Sequence, residues 1–184
     1  MGRTYDKLDD KLIRFIEVQK LFFVATAPLS ADGHINLSPK GYDAFKVIDE
    51  MTVAYLDLGG SGIETQAHVQ ENGRITIMFC AFEGPANILR LYGQGEAIDV
   101  GNPRFPEMLT QFPGFDRARA IILIKIDRIS DSCGWGVPFY EFKGERDQLT
   151  RYIDNKSAEE WTETHFQKNA ESIDGLPGVV RPKS

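Results

Sequence analysis

The chain is poor in the residues that build covalent and metal frameworks. Its 184 residues hold two cysteines, Cys80 and Cys133, too few for a disulfide scaffold and in keeping with free thiols in the cytoplasm. The three histidines, His34, His68 and His165, stand far apart. No H-x-H, H-E-x-x-H or C-x-x-C spacing occurs, so no metal site is expected. A G-x-S-x-G elbow is missing too, which removes the commonest nucleophilic-serine signature. There is no Lys/Arg-rich run, and 27 acidic against 21 basic residues leave a net charge of −6. That balance speaks against a nucleic-acid binder or a polybasic membrane anchor. No apolar stretch approaches the roughly 20 residues a membrane helix needs. The start, MGRTYDKLDDKL, is too polar for a signal peptide, and Asp6 stands where N-myristoylation wants Ser or Thr.

What is present is an ordinary globular mixture, 42% hydrophobic and 26% charged, of a length suited to one domain. Leu8, Leu12, Phe15 and Ile16 share one face of a helix expected over 6–19, with Asp6 placed to cap it. The period then shortens. LFFVATAP (21–28), HINLS (34–38), TVAYLDL (52–58), RITIMFCAF (74–82), ILRLYGQGEAIDV (88–100) and AIILIKIDRIS (120–130) read as strands. Asp32-Gly33 suggests a tight hairpin turn, and the alternation after it sets Ile35 and Leu37 on one face, expected to be the core side, and His34, Asn36 and Ser38 on the other. Helices are expected over 64–73, stopped by Gly73, and over about 105–112. Gly93 and Gly95 inside a strand mark a bend, a bulge or a close neighbour. Ser157 and Glu160 form a capping box for a helix running to about Asn169, and the Gly/Pro-rich end reads as extended or frayed. The pattern is that of a mainly β antiparallel barrel or sandwich with short flanking helices and a helical C-terminal extension.

The most informative local feature is DLGGSGIET (57–65), where a strand ends, glycines follow and a helix begins. Backbone N–H groups at such a helix start form an anion site, with Ser61 and Thr65 as hydroxyl donors. The plain alternative is a mobile turn in which Ser61 or Gly62 merely caps the helix. Gly60-Ser61-Gly62 begins like G-x-G-x-x-G, with Glu83 about 20 residues on, but Thr65 stands in the third glycine position. The alternating strands also argue against a doubly wound nucleotide fold. In NLSPKG (36–41), Asn36 and Ser38 share a face and Lys40 follows, a natural cation for a bound phosphate; Arg74 and Arg90 come next. Glu64 and His68, one helical turn apart, read as a surface pair. Cys133 reads as a packed small residue, and Trp135, Phe139 and Tyr140 either stack on a flat ring or seal one end of the barrel.

Taken together, VATAPLSADGHINLSPKG (24–41), TVAYLDLGGSGIETQAHVQENGRITIMFCAFEGP (52–85), ILRLYGQG (88–95) and SCGWGVPFYEF (132–142) resemble the pyridoxamine 5′-phosphate oxidase-like family of FMN-binding split-barrel proteins. The resemblance covers roughly residues 10 to 145. It implies a six-stranded antiparallel split barrel over 1–144, with 145–184 as a helical extension packed on it. It also implies a homodimer with two FMN molecules in the dimer cleft, and an FMN-dependent oxidoreductase acting on a small molecule. A non-catalytic flavin carrier or sensor dimer is the alternative, and a deazaflavin the alternative cofactor. The family pattern assigns Ser38, Lys40, Gly41, Ser61, Gly62 and Thr65 to the phosphate and ribityl chain. Tyr55 and Asp57 would flank the ring or ribityl, and Cys133 and Trp135 would approach the isoalloxazine, from the other subunit in one arrangement. The sequence departs from the oxidase itself at a basic pair, replaced here by Thr65 and Gln66. Phosphate neutralisation is therefore expected from Lys40, Arg90 or helix-start amides. The oxidase's C-terminal arginine motif is not recognisable in RYIDNKSAEEW or beyond, so pyridoxamine phosphate is not implied as the substrate.

Overall fold

A computed structural model describes residues 2–179. A two-residue strand β1 (Thr4–Tyr5) precedes α1 (Asp10–Val18). The cap of α1 is Asp9 and not Asp6: its carboxylate accepts from Leu12 N at 2.9 Å, satisfying an amide that the first turn leaves free. Strands β2 (Phe22–Thr26), β3 (Asn36–Lys40), β4 (Phe45–Asp49) and β5 (Thr52–Asp57) follow, then α2 (Glu64–Asn72). Next come β6 (Arg74–Cys80), β7 (Ile88–Asp99), α3 (Phe105–Leu109) and β8 (Ala120–Ser132). The chain continues through α4 (Gln148–Asp154) and α5 (Ala158–Lys168). Among the described residues no helix is long and apolar enough to cross a membrane.

The strands form one antiparallel path in the order β3-β2-β6-β7-β8-β5-β4, with β1 added to β8, and the path rolls into a split barrel. Leaving aside β1, that is seven strands where six are expected. The added one, β4, pairs only with β5 and carries Lys46 and Asp49, so its sequence shows no apolar run. Rolling is visible in the interior, where aromatic rings from distant strands meet. Phe45 of β4 lies 5.1 Å from Phe22 of β2 and 5.0 Å from Phe79 of β6, and Tyr55 of β5 lies 5.5 Å from Phe22. Such edge-to-face contacts add to the burial of apolar area that closes the barrel. Strand β5 is buried along almost all its length because both faces are covered. Val53 and Tyr55 enter the barrel core, while Ala54 and Leu56 pack with Phe105 of α3 and with Phe112.

Gly93 stands at a register shift between β7 and β8, and a Cβ there would sit 2.1 Å from Lys125 O. The close-neighbour reading of that glycine therefore holds. Gly73 stops α2 in the left-handed conformation as expected, and the Ser157–Glu160 capping box opens α5.

Two expectations around 30–38 fail. Gly33 N does donate to Ser30 O, but this turn lies inside a longer connection over 27–35, not a two-residue hairpin. Ile35 and Leu37 face outward, 79% and 64% exposed, while Asn36 and Ser38 turn inward. Alternation fixes which residues share a face, not which face is buried. Here the inner face of β3 is polar because it lines a cavity. The chain beyond α5 turns back on itself: Gly178 N donates to Ala170 O and Val179 N to Asn169 O, so 170–179 is tied down, not frayed. The expectation for 180–184 lies outside the described residues.

Candidate functional site

Where β3, the end of β5 and the start of α2 converge, the chain encloses a cavity of about 240 Å³. Asn36, Ser38, Pro39 and Lys40 form one wall, and Gly59, Gly60, Ser61, Gly62, Glu64 and Thr65 the other. Asp57 and Arg119 complete the lining. Residue 119 immediately precedes β8, whose Ala120 pairs with Asp57 across the β5–β8 ladder, so the register delivers Arg119 to this place.

Both side chains of the Asp57–Arg119 pair are buried, at 3% and 4% exposure, and Arg119 Nη2 donates to Asp57 Oδ2 at 2.7 Å. Arg119 Nε donates to the same oxygen at 3.3 Å, and Gly59 N donates to Oδ1 at 3.2 Å. Burial pushes the Asp57 carboxyl up, but the charges of Arg119 and Lys40 and these hydrogen bonds outweigh it and hold it below the usual range. Arg119 Nη1 is buried and has no hydrogen-bond partner among the described residues. A buried guanidinium N–H without an acceptor is costly; besides this cavity, Arg119 borders a small cleft with Trp161 and His165.

The floor is a hydrogen-bonded polar chain. Asn36 Nδ2 donates to Thr65 Oγ1 at 2.9 Å and to Thr26 Oγ1 at 3.0 Å, and Ser38 Oγ donates to Asn36 Oδ1 at 3.1 Å. Thr65 Oγ1 accepts there. Thr26 Oγ1 in turn lies 3.0 Å from His68 Nδ1. His68 is fully buried, and burial lowers its pKa below the usual value. The Glu64–His68 surface pair is therefore overturned: His68 belongs to the interior, and Glu64 turns to the cavity wall. At the helix start, Ile63 occupies the cap position of α2 with no side-chain bond to the first-turn amides. Those donors remain open to a ligand.

The second wall is backed by α5. Gly59, at φ +83, is crossed so closely that a Cβ would meet His165 Nε2 at 2.5 Å and the Trp161 ring at 3.0 Å. His165 Nδ1 lies 2.8 Å from Trp161 O, and burial, more than anything else, lowers its pKa. The helical extension thus supports the glycine loop from behind.

A larger groove of about 940 Å³ adjoins the cavity at Pro39, bounded by Lys20, Phe23, Gly41, Tyr42, Phe82 and Tyr140 among others. Of the residues singled out from the sequence, Ser38, Lys40, Asp57, Ser61, Gly62 and Thr65 come together in the cavity, and Gly41 lies in the groove. Tyr55 lies wholly in the barrel core, and Cys133 and Trp135 are exposed on the segment after β8. None of these three lines the cavity. Arg90 is engaged with Ser132 Oγ at 3.0 Å and Arg74 with Pro28 O at 3.0 Å, so neither serves the cavity. Sequence reasoning missed Arg119. Its signal was a charged residue abutting the almost wholly apolar AIILI, where only a buried partner makes a charge tolerable.

Comparison with known proteins agrees with this architecture. The family model described as "Pyridoxamine 5'-phosphate oxidase" matches residues 8–133. A "Pyridoxamine 5'-phosphate oxidase family protein ustO" of Aspergillus flavus is 36% identical over a 194-residue alignment, which covers 95% of this chain and 77% of that protein. The crystal structure of HupZ from Group A Streptococcus is similar in fold, with a TM-score of 0.54 and 24% identity. That alignment covers 66% of this chain and 91% of HupZ. A HupZ variant gives a TM-score of 0.56 at 23% identity, covering 67% and 98% of the two chains.

Proposed function

The chain belongs to the pyridoxamine 5′-phosphate oxidase family, and on that footing we propose that it is a flavoprotein that binds FMN and acts as an oxidoreductase on a small molecule. The observation that carries the reading is the convergence of Lys40, Arg119, Ser61 and Thr65 on one cavity at the start of α2. These donors fit the phosphate end of the cofactor. Arg119 and Lys40 offset its charge, Thr65 and Ser61 donate hydroxyl protons, and the open amides at the start of α2 complete the cradle. Asp57 is a positioning residue: it fixes the guanidinium so that Nη1 remains turned away from the salt bridge. Asn36, held by Ser38, orients Thr65 in the same way. FMN, when bound, supplies the hydride chemistry, while the protein supplies binding, orientation and electrostatics. The groove beyond Pro39 offers the ring a partly apolar wall with Phe23, Tyr42, Phe82 and Tyr140.

The reading includes a homodimer in the cytoplasm, with the cofactor at the subunit interface. Its support is the apolar outer face of the edge strand β3 and the exposed Trp135 and Phe139, at 85% and 81%. Unpaired edges and apolar patches of this kind are normally covered. A second copy's 132–136 segment would then bring Cys133 and Trp135 toward the flavin.

The test is an absorbance scan of the purified protein, identification by mass of the chromophore released on denaturation, and a search for turnover with NADH or NADPH. A flavin spectrum with FMN released supports the binding. Reduction and reoxidation of the bound flavin support the enzyme, and binding without turnover points to a carrier or sensor. A colourless protein that does not respond to added FMN refutes the proposal.

A further inference from the structure

The formal charges around the cavity cancel. Lys40 and Arg119 are its cations, Asp57 and Glu64 its carboxylates. Asp57 is committed to Arg119, whereas no ion pair among the described residues holds Glu64. Glu64 is nevertheless fixed in place. Its Oε1 accepts from Ile173 N at 3.3 Å, and its Oε2 lies over Gly62, 2.3 Å from where a Cβ would stand. The turn after α5 thus holds a carboxylate against the glycine loop. The other charged or titratable groups around it are Lys40 from β3, Asp57 and Arg119 at the cavity floor, His68 one turn further along α2, and Asp174 next to Ile173.

A phosphate monoester brings about −1.5 to −2 charges at neutral pH. It meets a wall of formal charge zero, where Lys40 and Arg119 attract it, Asp57 and Glu64 oppose them, and the start of α2 adds roughly half a positive charge. Glu64 is the charge that could be removed without unpairing anything.

We propose that Glu64 is a specificity-setting residue that keeps the flavin phosphate loosely held, so that FMN is an exchangeable ligand of this protein and not a permanently retained group. The proposal rests on the FMN reading and deepens it. The C-terminal extension then has a part in cofactor handling, because Ile173 holds Glu64 against the loop.

The experiment is a fluorescence titration of FMN and of riboflavin against the wild-type protein and Glu64→Gln at pH 7.5 and 5.5. Gln keeps the oxygen that accepts from Ile173 and removes only the charge. FMN binding tightens about tenfold in the variant at pH 7.5, the order expected for one charge acting on a dianion at a partly screened site. Riboflavin binding is unchanged. The gain shrinks to about threefold at pH 5.5, where the phosphate has passed its second pKa near 6 and carries about one charge. Glu64→Ala, which also drops the Ile173 link, tightens FMN as well. No gain for FMN in either variant, or an equal gain for riboflavin, overturns the proposal. Failure of all three proteins to bind FMN overturns the FMN reading itself.

Discussion

Arg119 Nη2 sits 2.7 Å from Asp57 Oδ2 in the protein interior, while Nη1 of the same guanidinium is buried without a partner among the described residues. Half of this guanidinium is satisfied by the fold and half is not. Buried ion pairs contribute little net stability compared with apolar packing, yet cost much when one member is lost. The pair is therefore better explained by what it holds ready than by what it stabilises.

Arg119→Met leaves Asp57 buried and uncompensated, and is expected to cost about 3–5 kcal/mol in denaturant unfolding. Asp57→Leu combined with Arg119→Met recovers most of that loss. FMN affinity does not recover: it stays about 10- to 100-fold weaker, the worth of a charge-assisted hydrogen bond. Stability and binding that recover together would contradict the assignment of Arg119 to the site.

Acid should destabilise the fold in two separate windows. His68 and His165 have pKa values below the ordinary one, chiefly through burial, so their contribution is full above about pH 6.5 and is lost as pH falls below it. Asp57 lies below the ordinary carboxylate value, so its contribution is present above about pH 4 and is lost only as pH falls further. Melting temperatures should accordingly fall between pH 7.5 and 5.5. His68→Gln, whose amide takes up no proton, should lose part of that fall. A melting temperature that is flat or rises over this range refutes the account of the two histidines.

Gly59→Ala tests the support of the glycine loop by α5. The substitution places a methyl group against His165 and Trp161 at a backbone angle that favours glycine. A loss of about 1–3 kcal/mol is expected from overpacking, together with weaker FMN binding. Gly60→Ala, with nothing within 4 Å of its Cβ and no positive φ, should leave stability unchanged. Equal effects at the two positions would show that the loop does not depend on the helix.

Leu37→Glu on the outer face of β3 tests the dimer. The residue is 64% exposed in the single chain, so the variant should fold normally and run as a monomer in sedimentation analysis. Its FMN affinity should fall if the second copy completes the site. A Leu37→Glu dimer that binds FMN normally would place the interface elsewhere.

Much of this was legible in the sequence, and the failures share a cause. The strands with alternating or continuous apolar runs were found, as was the glycine loop with Ser61 and Thr65. The resemblance supplied the split barrel and the pairing of that loop with Lys40. Strand β4 was missed because FKVID, an edge strand paired on one side, is interrupted by charge. Ile35 and Leu37 were placed on the wrong face because a period of two does not say which face is inside, and here polar groups line an internal cavity. Arg119 could not be placed at the site from local pattern, because it arrives through the β5–β8 register. Glu64 lies in the glycine-loop segment itself, but its anchoring by Ile173, 109 residues along the chain, could not be read there. Long-range pairing of this kind leaves no periodic trace.

The most direct test compares FMN with riboflavin, which lacks the phosphate, in equilibrium titrations of the wild-type protein and of Lys40→Ala. If the cavity beside Arg119 grips a phosphate, FMN binds at least about tenfold more tightly than riboflavin, and Lys40→Ala narrows that gap by weakening FMN alone. Equal affinity for the two flavins in the wild-type protein would mean that the cavity does not hold a phosphate, and the account would fail.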